Sequence, residues 1–331
     1  MKRWITRALI VLVALAAGSA VALYLWLQRP LALTTDTVEV SIEPGTSPRA
    51  IANAWVQAGV RTPAWLLYEW FRWSGESRRI RAGSYEIDRQ TTPASLLGIM
   101  VRGDESKAFV RLTEGWTLQQ FRAELAQAEA LKPTTAAMSE AELMAALGDA
   151  STRAEGRFYP DTYSYSKGST DLAVLRRAHH AMQQRLAAAW AQRAADTPLR
   201  TPDEALTLAS IVEKETGRPE DRGRVAAVFI NRLRIGMPLQ TDPTVIYGLG
   251  AAFDGNLRKR DLQSDTPYNT YTRNGLPPTP ISMPGKASLL AVVQPAPSRA
   301  LYFVARGDGT SEFSDDLAAH NRAVSKFQRG R

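Results

Sequence analysis

No cysteine occurs among the 331 residues, which excludes a disulfide framework, a thiolate metal site, a cysteine nucleophile and a lipid anchor on cysteine. Histidine is nearly as scarce. Only His179, His180 and His320 are present, and the first two are helical neighbours whose side chains diverge, so no metal pattern arises. No glycine-rich phosphate loop and no nucleophile elbow appear. We therefore expect no metal and no cofactor. A lack of cysteine suits either side of a membrane and does not locate the chain.

Charge is missing from one long segment. Ala8 to Leu27 holds none, and twenty helical residues reach roughly 30 Å, the hydrocarbon thickness of a bilayer. Lys2, Arg3 and Arg7 precede this run, so the positive-inside rule keeps residues 1–7 cytoplasmic and exports the body. Tyr24 and Trp26 fall near the outer end, where amphipathic rings favour the interface. A cleaved signal peptide competes with this reading, because Ala20-Val21-Ala22 resembles a cleavage site. The apolar run continues through Leu27, which favours an uncleaved anchor over residues 8–28. The net charge is +8, from 41 basic and 33 acidic residues. For an exported chain this points to anionic lipid or an anionic wall polymer and away from nucleic acid, although most of these charges serve to solvate the surface.

Beyond the anchor, Val38–Ile42 alternates as a half-buried strand does, Glu43–Thr46 turns the chain, and Ser47 with Pro48 opens a helix to about Ala58. The unit recurs. Val40, Ile42, Gly45 and Ile51 match Val110, Leu112, Gly115 and Phe121 at an offset of 70, with Thr117–Glu129 as the second helix. A weaker copy runs from Tyr85 to Val101. Between copies, Trp65, Trp70, Phe71 and Trp73 could stack on sugar rings, but core packing is the favoured reading. Residues 36–108 are expected to form a small α/β module and 109–150 a linking strand–helix region. Composition shifts near residue 150, so 151–331 reads as a separate domain. That domain is expected to hold a long helix (Leu172–Ala195), a strand at Leu301–Ala305 and a last helix from Ser314 to about Phe327, before a short basic tail.

The most informative stretch is Thr201–Gly217. Thr201, Pro202 and Glu204 form a capping-box pattern, and Gly217 supplies a stop. Between them apolar residues cover nearly every face, the mark of a buried helix. Its last turn carries Glu213. Desolvation and the negative end of the helix dipole would both raise such a carboxyl group, as a general acid requires. Lys214 points about 100° away. Glu215 also diverges, and reads as a brace for a neighbouring segment. From composition alone a functional Glu213 and a satisfied structural glutamate are equally supported.

Several motifs occur together in order: ASIVEKET (209–216), VFINRLRIGMPLQTDPTVIYG (228–248), YNTY (268–271), GLPPTPIS (275–282), the run from Glu155 to Tyr163, and the terminal LYFVA. This set resembles the YceG-like family, the MltG endolytic murein transglycosylases. The likeness covers residues 150–325 and, more loosely, the anchor and small units.

The resemblance implies an α+β protein with a single transmembrane helix, a LysM-like module and a mixed α+β catalytic domain. It implies an inner-membrane location with that domain in the periplasm, and Glu213 as the catalytic acid and base. The reaction implied is lyase cleavage between N-acetylmuramic acid and N-acetylglucosamine within nascent strands, leaving 1,6-anhydro ends beside the wall synthases. An intramolecular C6 hydroxyl replaces activated water, so one dominant carboxyl group suffices.

Asn231, Arg232, Gln240, Thr241, Asp242, Tyr268, Asn269, Thr270 and Tyr271 are candidate glycan contacts. Each has a structural alternative; Asp242 before Pro243, for example, also reads as an N-cap. Two rival functions stand beside the lyase. A hydrolase would need a second carboxylate, from Asp242, Asp161 or Glu155. A non-catalytic wall-binding scaffold would leave Glu213 structural.

Overall fold

The computed structural model describes residues 2–328; Met1 and residues 329–331, with the end of the expected basic tail, lie outside the described part. The architecture is mixed α+β. Among the described residues the strands pair only in two-stranded sheets. The chain divides into two compact units, Met1–Ala108 with Ser164–Ser169, and Phe109–Tyr163 with Thr170–Arg331. Residues 109–150, read from the sequence as a linking region, fall in the second unit with the segment that follows them.

The first unit opens on the helix Lys2–Gln28, whose stretch Leu9–Gln28 is long and apolar enough to cross a membrane and is nowhere buried within the chain. Little slack follows it. Trp26 packs on the unit's core, Leu31 is buried, its N–H donates to the Thr91 carbonyl at 2.8 Å, and Arg61 N–H donates to Ala32 at 2.8 Å. Strands Thr37–Ile42 and Gly83–Asp88 pair antiparallel with Val40 opposite Tyr85, so Val38, Val40 and Ile42 all face inward as their alternation requires. Helices Pro48–Ala58 and Ala64–Trp73 lie between these strands in the chain, and Pro93–Arg102 follows. Trp55, Phe71, Tyr85 and Met100 fill the core. The aromatic cluster therefore splits: Phe71 is core, Trp70 is half-buried with its indole N–H on the Pro93 carbonyl, and Trp65 and Trp73 are exposed.

Strands Lys107–Arg111 and Thr162–Ser166 form another two-stranded sheet. In the second unit Leu118–Gln127 and Glu140–Leu147 are short helices, each opened by a capping box, Thr117 with Gln120 and Ser139 with Glu142. The sequence of 126–149 reads as helical with a break at Lys132-Pro133, and irregular chain indeed runs through that pair, from 128 to 139.

At the centre of the second unit is the helix Pro202–Glu215, buried at every position from Ala205 to Val212. Helices Asp171–Ala191, Pro219–Arg234 and Lys286–Val293 pack around it. Only half of the expected capping box forms. The Thr201 hydroxyl accepts Glu204 N–H at 3.1 Å, but the Glu204 carboxylate takes the N–H of Arg200 and not of Thr201. Gly217 is not the stop either, since it stays out of the left-handed region. The helix ends at Glu215 because Thr216 turns extended (φ −144°) and Pro219 then opens the next helix. A further difference lies near the C-terminus, where Tyr302–Ala305 pairs antiparallel with a second strand, Ser311–Ser314. Ser314 thus ends a strand. Asp316 caps the last helix, Leu317–Phe327, by accepting Ala319 N–H at 2.8 Å.

Candidate active site

Glu213 leaves the last turn of the central helix with only 7% of its side chain exposed. A carboxylate so placed needs donors, and its neighbours come from three other segments. The N–H of Gly285, the N-cap of Lys286–Val293, donates to Oε2 at 2.9 Å. Arg222 of Pro219–Arg234 places Nη2 3.9 Å from Oε1, and its own side chain is 12% exposed. The third neighbour is Glu114, whose carboxyl group fills the place that a β-carbon on residue 285 would occupy. A β-carbon there would push the end of this exposed side chain aside.

This arrangement is tied together by backbone. Ile281 N–H donates to the buried Ser210 hydroxyl at 2.9 Å, and the Ser282 hydroxyl donates to the Ser210 carbonyl at 3.1 Å. Met283 N–H donates to Trp116 at 2.7 Å and Gly115 N–H to Met283 at 2.9 Å. Residues 281–285 thus join the central helix to the turn carrying Glu114. Lys214 points away as expected, its Nζ on the Gly115 carbonyl at 3.2 Å. Burial, then the charge of Glu213, push the Glu114 carboxyl above its ordinary range, while Arg222 opposes the shift. Glu114 is exposed nonetheless, and with Arg111, Pro160 and Asp161 it lines a cavity of about 300 Å³.

Glu215, two residues on, faces elsewhere. It accepts the Thr241 hydroxyl, and burial raises its carboxyl against the effect of that bond. Its surroundings include Arg232, Gln240, Asp242, Tyr271, Tyr302 and His320, which line a cavity of about 650 Å³.

Comparison with known proteins agrees with the motif pattern. The model of the YceG-like family matches residues 40–326. A protein of Bacillus subtilis (strain 168) named endolytic murein transglycosylase is 30% identical over 88% of this chain and 85% of its own length. One of the same name from Streptococcus pneumoniae is 27% identical over 87% of this chain, which spans 58% of that longer relative. A crystal structure of a yceG-like protein from Listeria monocytogenes matches at a TM-score of 0.54 with 29% identity, covering 87% of this chain and 98% of that one. The chain belongs to the YceG-like family.

Within this YceG-like chain the other residues singled out from the sequence fall into two groups. Gln240 and Asp242 are exposed along the larger cavity, and the Tyr271 hydroxyl donates to Asp242 at 2.6 Å. The rest hold structure. Asn231 donates its amide to the Ser298 and Ala300 carbonyls at 2.9 and 3.1 Å, and Arg232 reaches the Leu301 and Leu239 carbonyls at 2.7 Å each. Thr241 and Thr270 are buried and joined, Thr241 N–H donating to the Thr270 hydroxyl at 3.1 Å. Asn269 is fully buried, its amide donating to the carbonyls of Asp261, Leu262 and Ser264. Tyr268 pairs its hydroxyl with Thr279 at 2.8 Å. Asp242 does not act as the N-cap: that position is Thr241, whose hydroxyl is committed to Glu215.

Of the carboxylates considered as a second acid or base, Glu155 is buried. It accepts Leu118 N–H at 3.1 Å and the Tyr247 hydroxyl at 3.2 Å, and burial pushes it up to about 7. Asp161 lies with Glu114 on the smaller cavity. His179 is buried against Asp149 (2.9 Å), and His320 stacks on Tyr302. Among the described residues no group of three or more His, Asp or Glu is placed to hold a metal. Sequence reasoning missed Arg222 and Gly285 beside Glu213, and Glu114 appeared in it only as part of a turn.

Proposed function

We infer that this chain is an endolytic murein transglycosylase, a lyase that cuts the bond between N-acetylmuramic acid and N-acetylglucosamine within glycan strands. Family membership and the names of its relatives support the reaction class. The observation that carries the residue assignment is the nearly buried Glu213 carboxyl at the end of a buried helix, held by one peptide N–H.

The proposed chemistry needs one carboxyl group. Glu213 gives its proton to the glycosidic oxygen as the bond to C1 of the muramic residue breaks and oxocarbenium character develops. The C6 oxygen of the same residue then bonds to C1, and the hydroxyl proton returns to Glu213. The nucleophile is already tethered, so effective molarity stands in for an activated water. Gly285 N–H fixes Oε2 and leaves Oε1, the oxygen nearer Arg222, to carry the proton. Arg222 then steadies the carboxylate once that proton has left. Glycan contact is assigned to Gln240, Asp242 and Tyr271 on the larger cavity, which Arg232 also lines, while Asn231, Thr241, Tyr268, Asn269 and Thr270 brace neighbouring segments.

The Leu9–Gln28 stretch is proposed as a single-pass anchor in the inner membrane, N-terminus cytoplasmic and catalytic unit periplasmic; the basic residues before it support that orientation. The first unit is read as LysM-like. Two helices between antiparallel strands, packed closely after the anchor, support this reading, and such a unit would bind glycan near the membrane. Association with wall synthases follows from action on nascent strands.

Mass spectrometry of purified glycan strands digested by the full chain tests the reaction. Anhydro-muramyl ends are expected. Reducing ends would make the enzyme a hydrolase, and intact strands would make the chain a binding scaffold.

A further inference from the structure

The inference concerns Glu114 and rests on the reading of Glu213 as acid and base. Residue 285 has no side chain, and the space this leaves is taken by the Glu114 carboxyl group. The same residue's N–H donates to Glu213 at 2.9 Å. The two carboxyl groups thus flank one glycine, one nearly buried and one open to solvent. The turn that carries Glu114 is tied at its backbone. Gly115 sits in the left-handed region (φ 75°), its N–H bonds Met283, its carbonyl holds Lys214 Nζ, and Met283 bonds back to Trp116.

Charges face this pair from every packed segment. The central helix supplies Glu213 and Lys214, the latter tied to a backbone oxygen. The next helix supplies Arg222, whose Nε is buried with no partner in the protein. The segment after Glu155 supplies Tyr159, which Glu114 helps to raise, and Asp161 across the smaller cavity, while Arg111 comes from the strand before the turn. Of the cations around the pair, Arg222 is the one that approaches the Glu213 carboxyl group, at 3.9 Å, while Lys214 is committed to a backbone oxygen. Burial and then the Glu213 charge hold the Glu114 carboxyl above its ordinary range.

We propose that Glu114 is the second carboxyl group of the active site, a positioning residue whose charge bears on Glu213 across Gly285. Glu213 remains the group that meets the glycosidic oxygen. Glu114 acts through it, by charge.

The first test uses the full chain in detergent and needs no substrate. The carboxyl carbon-13 resonance of Glu114, assigned by its loss in Glu114→Gln, is followed against pH in wild type and in Glu213→Gln. Its midpoint should fall by about one pH unit when the neighbouring charge is removed. An unmoved midpoint would overturn the proposal, whether or not the chain makes anhydro ends.

The second test is the pH profile of anhydro-end formation. In Glu114→Gln the alkaline limb should move down by about one unit while the acid plateau stays within a few-fold, and in Arg222→Gln the limb should move up. Glu114→Asp should restore part of the limb. A uniform loss of rate across pH, with unchanged limbs, would make Glu114 merely structural and sink the idea. Absence of anhydro ends from wild type would instead defeat the transglycosylase reading and leave the resonance titration to decide the pairing.

Discussion

The strand–turn–helix unit around Gly45 and the one around Gly115 share a local design and differ in what their turns face. Both glycines take left-handed φ, 85° and 75°, and both units bury the matched residues Val40, Ile42 and Ile51 or Val110, Leu112 and Phe121. Before the glycine, however, the first copy has Pro44 and the second has Glu114. A β-carbon on Gly45 would meet nothing within 4 Å, whereas one on Gly115 would touch the side chains of Glu213 and Lys214 at 3.8 Å. Their helix starts differ as well. Ser47 alone caps the first helix, while the second has the Thr117–Gln120 box and also rests Leu118 N–H on the buried Glu155. A fold unit can thus be repeated while its chemistry is not. The chemistry depends on one residue before the glycine and on the segment packed against the turn.

Substitutions around the two turns probe that difference, and the largest effect is expected at Glu155. Its folded-state carboxyl sits at about 7 against an ordinary 4.5. The folded form therefore holds its proton more tightly than the unfolded chain. The resulting stability is full below about pH 4.5 and is lost as pH rises to about 7, roughly 3 kcal/mol in all. Thermal melts of wild type should fall across that window, and Glu155→Gln should flatten the fall. Equal slopes would mean that the second helix start does not depend on a protonated Glu155.

Gly285→Ala comes next. Its β-carbon would displace the Glu114 carboxyl, the end of an exposed side chain, beside the N–H that holds Glu213. Moving a positioning group in this way should lower turnover by roughly 3- to 10-fold. Steady-state release of anhydro ends should show this loss with the fold intact by circular dichroism. Wild-type turnover in Gly285→Ala would disconnect the second turn from the chemistry.

The smallest effect belongs to the first turn. Pro44 is exposed, so Pro44→Glu, which copies the second turn's sequence, should change stability by less than about 0.5 kcal/mol and leave turnover unchanged. A measurable change in turnover would show that the first copy also bears on the reaction.

Much of this was legible in the residues. The repeat, the buried helix ending in Glu213 and the divergence of Glu215 and Lys214 all follow from periodicity and helical geometry. Local signals misled where a partner outside the segment was stronger. Glu204 turned to Arg200 and not to its own N-cap, and the Thr241 hydroxyl went to Glu215 and not to the helix it precedes. Asn269 and Thr270 read from the sequence as candidate glycan contacts with a structural alternative, and their side chains are consumed by neighbouring backbone and hydroxyl groups. Glu114 and Gly285 stand 171 positions apart in the sequence, and no periodicity links a turn glutamate to a distant glycine. Only the packed structure shows that one fills the space the other leaves.

The two glutamates of the EKET motif allow the most direct test of the central assignment. Turnover and melting temperature should be measured for Glu213→Gln and Glu215→Gln beside wild type on the same glycan strands. Loss of general acid–base catalysis should lower turnover of Glu213→Gln by about 10²–10⁴-fold with its melting temperature nearly unchanged. Glu215→Gln should keep turnover within about tenfold of wild type. Full activity in Glu213→Gln, or the large loss falling on Glu215→Gln, would contradict the assignment of Glu213 as the acid and base.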